Sequence, residues 1–98
     1  MKNKKRLYAI YNGPRTRDPM ENSILERLES EKILEVGEIY VVNNVDMSQS
    51  GTYITLQGVG SKNLNSVSFD FFVMHKGKLC DHDIYNDPAY NPYLGFFK

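Results

Sequence analysis

The segment Ser66-Val-Ser-Phe-Asp-Phe-Phe-Val-Met74 has the strongest β-strand pattern in the chain. Val67, Phe69, Phe71 and Val73 occupy every second position, which places them on one face of an extended strand. A face made of four large apolar side chains has to be buried. The segment is therefore predicted to be the core strand of a β-rich domain.

A hairpin is predicted before this strand, over residues 38–47 and 52–59 with a turn at 48–51. In its first strand, Asn43 interrupts the alternation of polar and apolar residues, which indicates a bulge or a bend. The apolar residues expected on one face of that strand are Ile39, Val41, Val45 and Met47.

The beginning of the chain predicts one strand and one helix. A strand is predicted over residues 6–11, where apolar or aromatic residues at every position after Arg6 are typical of a central strand. Asp18 is placed to cap a helix, Pro19 suits the first helical position, and Glu21 suits a capping box. The helix is expected over about residues 19–32.

Length and composition bound the fold class. The chain has 98 residues, 12 Lys+Arg, 12 Asp+Glu and one Cys, so we expect a single domain, residues 1–98, without an internal disulfide. The fold class is predicted as α+β and mainly β: a small SH3-like or partly open antiparallel β-barrel with one peripheral helix. Residues 1–5 are expected to be a flexible basic start, and residues 84–98 an irregular aromatic tail.

The same composition bears on location and partners. No stretch approaches the roughly 20 apolar residues of a membrane span, and the apolar run near the start is too short for a signal peptide. We therefore expect the protein in the cytoplasm of a bacterial host, with no membrane partner. A formal net charge of zero argues against a dedicated electrostatic binder of nucleic acid.

The aromatic tail is the first candidate site. Aromatic side chains offer a large contact area at a low entropic cost, and they are enriched where protein interfaces bind most tightly. This segment is expected either to cover its own domain or to contact a partner protein. Its candidate partner-binding residues are Tyr85, Tyr90, Tyr93, Phe96 and Phe97.

Catalytic signatures are missing from the sequence. It has no P-loop, no G-x-S-x-G, no H-E-x-x-H and no Cys-x-x-Cys. The densest group of metal ligands is His75, Cys80 and His82, but strand alternation separates the last two from the neighbouring aspartates. We therefore expect no enzyme activity, no cofactor and no metal, with these three residues as the candidates should a metal bind.

An alternative hypothesis is nucleic-acid or nucleotide binding. Basic residues flank the first predicted strand, whose tyrosines Tyr8 and Tyr11 resemble a stacking platform for bases. The basic patch requires the residues after the strand to fold back beside its start. Its members would be Lys4, Lys5, Arg6, Arg15 and Arg17.

A family resemblance adds to these patterns. Leu34-Glu-Val-Gly-Glu-Ile-Tyr-Val-Val, then Thr52-Tyr-Ile-Thr-Leu, then Asn65-Ser-Val-Ser-Phe-Asp-Phe71 resemble a pattern in small accessory proteins from phages and prophages of Gram-positive bacteria. The resemblance covers residues 34–71. It implies an SH3-like or similar partly open β-barrel, and no chemistry that transfers to individual residues.

The resemblance sets the leading functional hypothesis. By analogy with such accessory proteins, we expect a phage-encoded, non-enzymatic binding protein that docks on a host or defence protein and inhibits or modulates it, as anti-CRISPR and other anti-defence inhibitors do. Unpaired strand edges further predict a homodimer formed by strand addition or by exchange of the tail.

Overall fold

The computed structural model of the protein describes residues 6–48, 50–60 and 62–94. Its elements are short, as expected for a small β domain. In chain order they are β1 (Leu7–Tyr11), α1 (Pro19–Ser30), β2 (Ile39–Ser48), β3 (Gly51–Leu56), β4 (Leu64–Asn65), the 3-10 turn Ser66–Ser68, β5 (Phe69–His75), β6 (Lys78–Asp81) and the 3-10 turn Ile84–Asn86.

The strands form one antiparallel sheet in the order β4-β3-β2-β1-β5-β6. β4 and β6 are the two edges, and the sheet is not closed into a barrel. The predicted fold class, α+β and mainly β with one peripheral helix, is confirmed in this open form. β1 lies between β2 and β5, which also confirms its prediction as a central strand.

The helix α1 begins as its sequence predicts. Asp18 has an extended backbone, its carboxylate accepts a hydrogen bond from the N–H of Met20 at 3.0 Å, and Pro19 occupies the first helical position. The N–H of Asp18 donates to the hydroxyl of Thr16 at 3.2 Å. Thr16 therefore has the role that a capping box would have given to Glu21.

The helix ends at Ser30, before the predicted residue 32. Lys32 adopts a positive φ of 60°, and the N–H of Ile33 donates to the carbonyl of Leu28 at 2.9 Å. A left-handed residue with such a backward hydrogen bond is a common way to satisfy the last helical carbonyls. The chain then turns toward β2.

The core lies between α1 and one face of the sheet. Residues of β1 and β5 alternate between buried and more exposed positions, so every second side chain of each strand lies on the same buried face of the sheet. The core residues are Leu7, Ala9, Tyr11, Leu25, Leu28, Leu34, Ile54, Leu56, Val59, Leu64, Phe69, Phe71, Val73 and Ile84.

The predicted bulge at Asn43 is present, and it corrects the predicted face of β2. Val42 pairs with Leu56 and Asn44 pairs with Thr55, so Asn43 is one residue more than β3 can match. An extra residue reverses which side chains face inward. Tyr40 and Val42 therefore share the core face with Val45 and Met47, whereas Ile39 and Val41, which were expected there, lie on the opposite face.

The predicted core strand also needs one correction. Val67 was expected beside Phe69, yet it is 48% exposed because residues 66–68 form a 3-10 turn instead of extended strand. Asn65 caps this turn by accepting a hydrogen bond from the N–H of Val67 at 3.1 Å. The core strand therefore begins at Phe69.

Candidate functional site

The face of the sheet opposite α1 is apolar and open to solvent. Since neighbouring strand residues point to opposite faces, the residues between the core positions of β1, β2, β5 and β6 project away from the helix. Two of them have large exposed fractions, 49% for Ile39 and 42% for Met74. We call this surface the outer face; it comprises Tyr8, Ile10, Ile39, Val41, Phe72, Met74 and Leu79.

The strand register makes the outer face continuous. Tyr8 lies directly between Val41 of β2 and Phe72 of β5, and Asp81 of β6 lies beyond Phe72. Side chains paired in this way have Cβ atoms about 4.5–5.5 Å apart and contact each other. Two further rows are Ile39–Ile10–Asp70 and Met74–Leu79.

Negative charge borders this apolar surface. Asp70 follows Ile10 in its row, Asp81 follows Phe72, and both aspartates are exposed. The carboxylate of Asp70 accepts a hydrogen bond from the side-chain amide of Asn12 at 2.8 Å. The outer face therefore has an apolar centre with two carboxylates on the β5–β6 side.

A groove of about 500 Å³ adjoins this acidic border. We call it the acidic groove, because its lining includes Asp70, Asp81 and Asp83. Val67 and Tyr85 add exposed apolar area to it, with exposed fractions of 48% and 44%. The Tyr85 hydroxyl lies 2.6 Å from the hydroxyl of Ser66, which fixes the ring at the rim of the groove.

A second cavity of about 420 Å³ lies at the bulge, between β1, β2 and the chain after β6. We call it the amide cleft. Among its described lining residues, Arg6 is the one charged group and no carboxylate is present. The other polar groups of its lining are the carboxamides of Asn43, Asn44 and Gln57 and the ring of Tyr90.

A contact between His82 and Asp87 holds the chain that follows β6. His82 Nε2 lies 2.7 Å from a carboxylate oxygen of Asp87, and the N–H of Ala89 donates to the other oxygen at 2.8 Å. The bond from Ala89, followed by the contact with His82, lowers the pKa of Asp87 against the opposing effect of burial. Both interactions stabilise the ionised carboxylate.

Each of the three metal candidates, His75, Cys80 and His82, has a different partner in the structure. His75 pairs with Lys78 at the hairpin end, Cys80 pairs with Val73, and His82 is the partner of Asp87. Among the residues that the structure describes, no group of three or more His, Cys, Asp and Glu side chains is arranged to hold a metal ion. Cys80 is a free, exposed thiol.

The tyrosines of the predicted partner-binding tail differ in exposure. Tyr85 is exposed at the acidic groove, whereas Tyr90 is half-buried and packs against the core. The rings of Tyr90 and His82 meet edge to face, with centroids 6.2 Å apart. Burial, followed by the nearby Asp87 charge, raises the pKa of Tyr90.

The end of the tail extends past the described chain. Tyr93 is half-buried, and its N–H donates to the side-chain oxygen of Asn91 at 2.9 Å. Phe96 and Phe97 lie outside the described residues. Up to residue 94, the tail therefore lies against its own domain, with Tyr85 as its most exposed ring among the described candidate residues.

The candidate residues for nucleic-acid binding are dispersed. Arg6 precedes β1 and Arg15 follows it, so they lie beyond opposite ends of a five-residue strand about 17 Å long. Arg17 is exposed near the start of α1, and Tyr8 belongs to the outer face. Tyr11 is fully buried and cannot stack on a base. Lys4 and Lys5 lie outside the described residues.

Sequence comparison places the chain in a family of phage proteins. The family model described as Bacteriophage T4 protein Y07B matches residues 24–96, about three quarters of the chain. The protein belongs to this family. Searches of curated proteins and of solved structures found no match. Among the described residues, no helix is long and apolar enough to span a membrane.

The match covers most of the domain and leaves β1 outside. It begins within α1 and includes β2 to β6. The sequence pattern over residues 34–71 lies within the matched segment, but a match over the whole segment does not test that pattern. The bacterial hosts that the resemblance implies likewise stay a prediction.

Proposed function

We propose that this phage-family protein is a non-enzymatic binding protein that docks through its outer face on a host or defence protein and inhibits or modulates it. The observation that carries the proposal is an apolar surface spanning four strands on the side of the sheet that α1 leaves uncovered. Contiguous apolar patches of this kind on small proteins are often functional contact surfaces.

The composition of the outer face fits a protein partner. Tyr8 and Phe72 are adjacent at its centre, while Asp70 and Asp81 lie at its border. Protein interfaces commonly combine an apolar and aromatic centre with a polar rim. Carboxylates at this border repel phosphate groups, so the charge pattern favours a protein over a nucleic acid as the partner.

The size of the outer face indicates that it does not bind alone. The three rows hold nine side chains, and at about 4.8 Å between strands and about 6.8 Å between alternate residues they cover roughly 300 Å² in projection. A standard interface buries about 800 Å² on each partner. We infer that the acidic groove and Tyr85 add the remaining contact area, which retains a role for part of the predicted aromatic tail.

The proposal is tested by capture and by matched substitutions. The full chain, immobilised and treated with nuclease, is incubated with lysate from a phage-susceptible bacterium, and the bound proteins are identified by mass spectrometry. Each captured protein is then purified, and its affinity is measured for the wild-type chain and for the variants Ile39→Asp and Met74→Asp. Met20→Asp is the control, because Met20 is 72% exposed on α1, away from the outer face.

We expect each outer-face substitution to weaken binding to the partner tenfold or more, which corresponds to about 1.4 kcal/mol of binding free energy. The control variant should bind as the wild type does, and the captured protein should lose activity when the phage protein is added. Equal binding by all three variants would contradict docking through the outer face. Capture that disappears after nuclease treatment would favour nucleic acid as the partner.

A further inference from the structure

The amide cleft has a chemistry unlike that of the rest of the surface. The acidic groove has three carboxylates, whereas the described lining of the amide cleft has none and holds one guanidinium, that of Arg6. A cavity with one cation and no acid favours an anion. Its volume of about 420 Å³ is within the usual range for a small-molecule site, about 300–1,000 Å³.

The bulge brings the polar groups of this cleft together. Asn43 has no residue opposite it on β3, and its neighbours Asn44 and Val42 keep their partners. Arg6, the residue before β1, lines the cleft together with Asn43 of the bulge. Gln57 approaches from the end of β3, where its N–H donates to the carbonyl of Val41 at 2.9 Å.

These groups match the parts of one kind of ligand. A guanidinium pairs with phosphate oxygens through two parallel hydrogen bonds. Carboxamides of Asn and Gln offer one donor and one acceptor side by side, which complements the edge of a nucleobase. A tyrosine ring gives a base a surface on which to stack.

We propose that the amide cleft binds a mononucleotide. Arg6 holds the phosphate, the carboxamides of Asn43, Asn44 and Gln57 contact the edge of the base, and the ring of Tyr90 packs against it. This site adjoins the outer face at Val41, which lines both surfaces, but it does not depend on the docking function proposed above.

The test is a titration of the ¹⁵N-labelled full chain, followed by NMR. The probes are AMP, GMP, CMP and UMP up to about 5 mM, a range that detects millimolar affinity. Ribose 5-phosphate and adenosine serve as the two halves of one ligand. We expect saturable shifts with at least one nucleotide, confined to residues near 6, 41–45, 57 and 89–90, and weaker binding of each half.

Two matched variants identify the anion contact. Arg6→Gln should weaken nucleotide binding tenfold or more, because it removes a charge-assisted contact with the phosphate. Arg17→Gln should leave binding unchanged, since Arg17 is an exposed arginine that does not line the cleft. Both arginines are on the surface, so neither substitution is expected to unfold the protein.

Three results would overturn the proposal: no saturable shift with any nucleotide, equal affinities for the two arginine variants, or inorganic phosphate reproducing the full response to the nucleotide. None of these results affects the capture experiment. Conversely, failure to capture a partner leaves the titration unchanged, so the two proposals fail independently.

Discussion

The hydroxyl of Tyr11 donates a hydrogen bond of 2.6 Å to the carboxylate of Glu29, which joins the central strand β1 to the helix α1. Tyr11 is fully buried and its ring also packs against Phe69, with centroids 5.3 Å apart. One side chain therefore contacts both layers of the fold. Burial, followed by the bond to Glu29, raises the pKa of Tyr11.

Replacing Tyr11 with Phe should lower the free energy of unfolding by about 1–2 kcal/mol, because the ring stays in place and one hydrogen bond to a carboxylate is lost. Half-exposed Glu29 can bind water in compensation, which limits the cost. Denaturant titration of Tyr11→Phe measures the effect, with Tyr8→Phe on the outer face as the control. Equal midpoints for the two variants would mean that the bond contributes nothing.

The same tyrosine predicts how stability depends on alkaline pH. In the unfolded chain it ionises near its usual pKa of 10.0, whereas in the folded protein it keeps its proton to a higher pH. The unfolded state therefore binds fewer protons above about pH 10, so this contribution to stability falls as the pH rises. The difference in stability between wild type and Tyr11→Phe should shrink between pH 9 and about pH 11 in denaturant titrations.

The helix cap is open to a separate test. Asp18→Ala removes the acceptor of the Met20 N–H and should lower the free energy of unfolding by about 1 kcal/mol. Asp18→Asn keeps an acceptor oxygen and should recover most of that loss. Thermal or denaturant unfolding of both variants provides the comparison, and an equal loss in the two would assign the effect to charge instead of capping.

Ile84 marks where the tail becomes part of the core. It is fully buried, so Ile84→Ala should cost about 2–4 kcal/mol, whereas Ile39→Ala on the outer face should cost much less. A chain ending at residue 83 should be destabilised more than one ending at residue 87. Circular dichroism melts of the two truncations test this, and similar melting temperatures would show that the core does not need Ile84.

The interaction of the Asp87 carboxylate with the Ala89 N–H and with His82 predicts a loss of stability in acid. The pKa of Asp87 is lowered in the fold, so the interaction contributes fully above its usual 3.8 and is lost as the pH falls through the folded value. Asp87→Asn should therefore flatten the change in stability between pH 5 and about pH 2. Asp83→Asn, at the preceding turn, is the matched control, and an unchanged slope for Asp87→Asn would contradict the assignment.

Much of the fold follows from local patterns in the sequence. The Asp18-Pro19 start of the helix, the central position of β1 and the pairing of Ser48 with Gly51 across the predicted turn all depend on residues close to one another in the chain. Such features are fixed by capping, turn chemistry and alternation. They are the parts of the fold that sequence reasoning predicted correctly.

The outer face could not be derived in the same way. A bulge at Asn43 was expected, but the sequence does not show that the bulge reverses the facing of the residues before it relative to those after it. Ile39 and Val41 were therefore assigned to the core face together with Val45 and Met47. The signal that was missed is in β1 and β5, where Tyr8 and Phe72 make the face away from the core apolar too. Apolar residues on both faces indicate a central strand, and they do not reveal whether the second face is covered.

Asn43 is one residue inserted into a strand whose inward and outward side chains would alternate regularly without it. Removing Asn43 would leave Tyr40, Val42, Val45 and Met47 in strict alternation, with all four still on the core side. The hydrophobic core therefore gives no reason to retain the extra residue. Loss of this residue should do little harm to folding. If relatives nevertheless keep it, selection acts on a function of the bulge and not on the stability of the core.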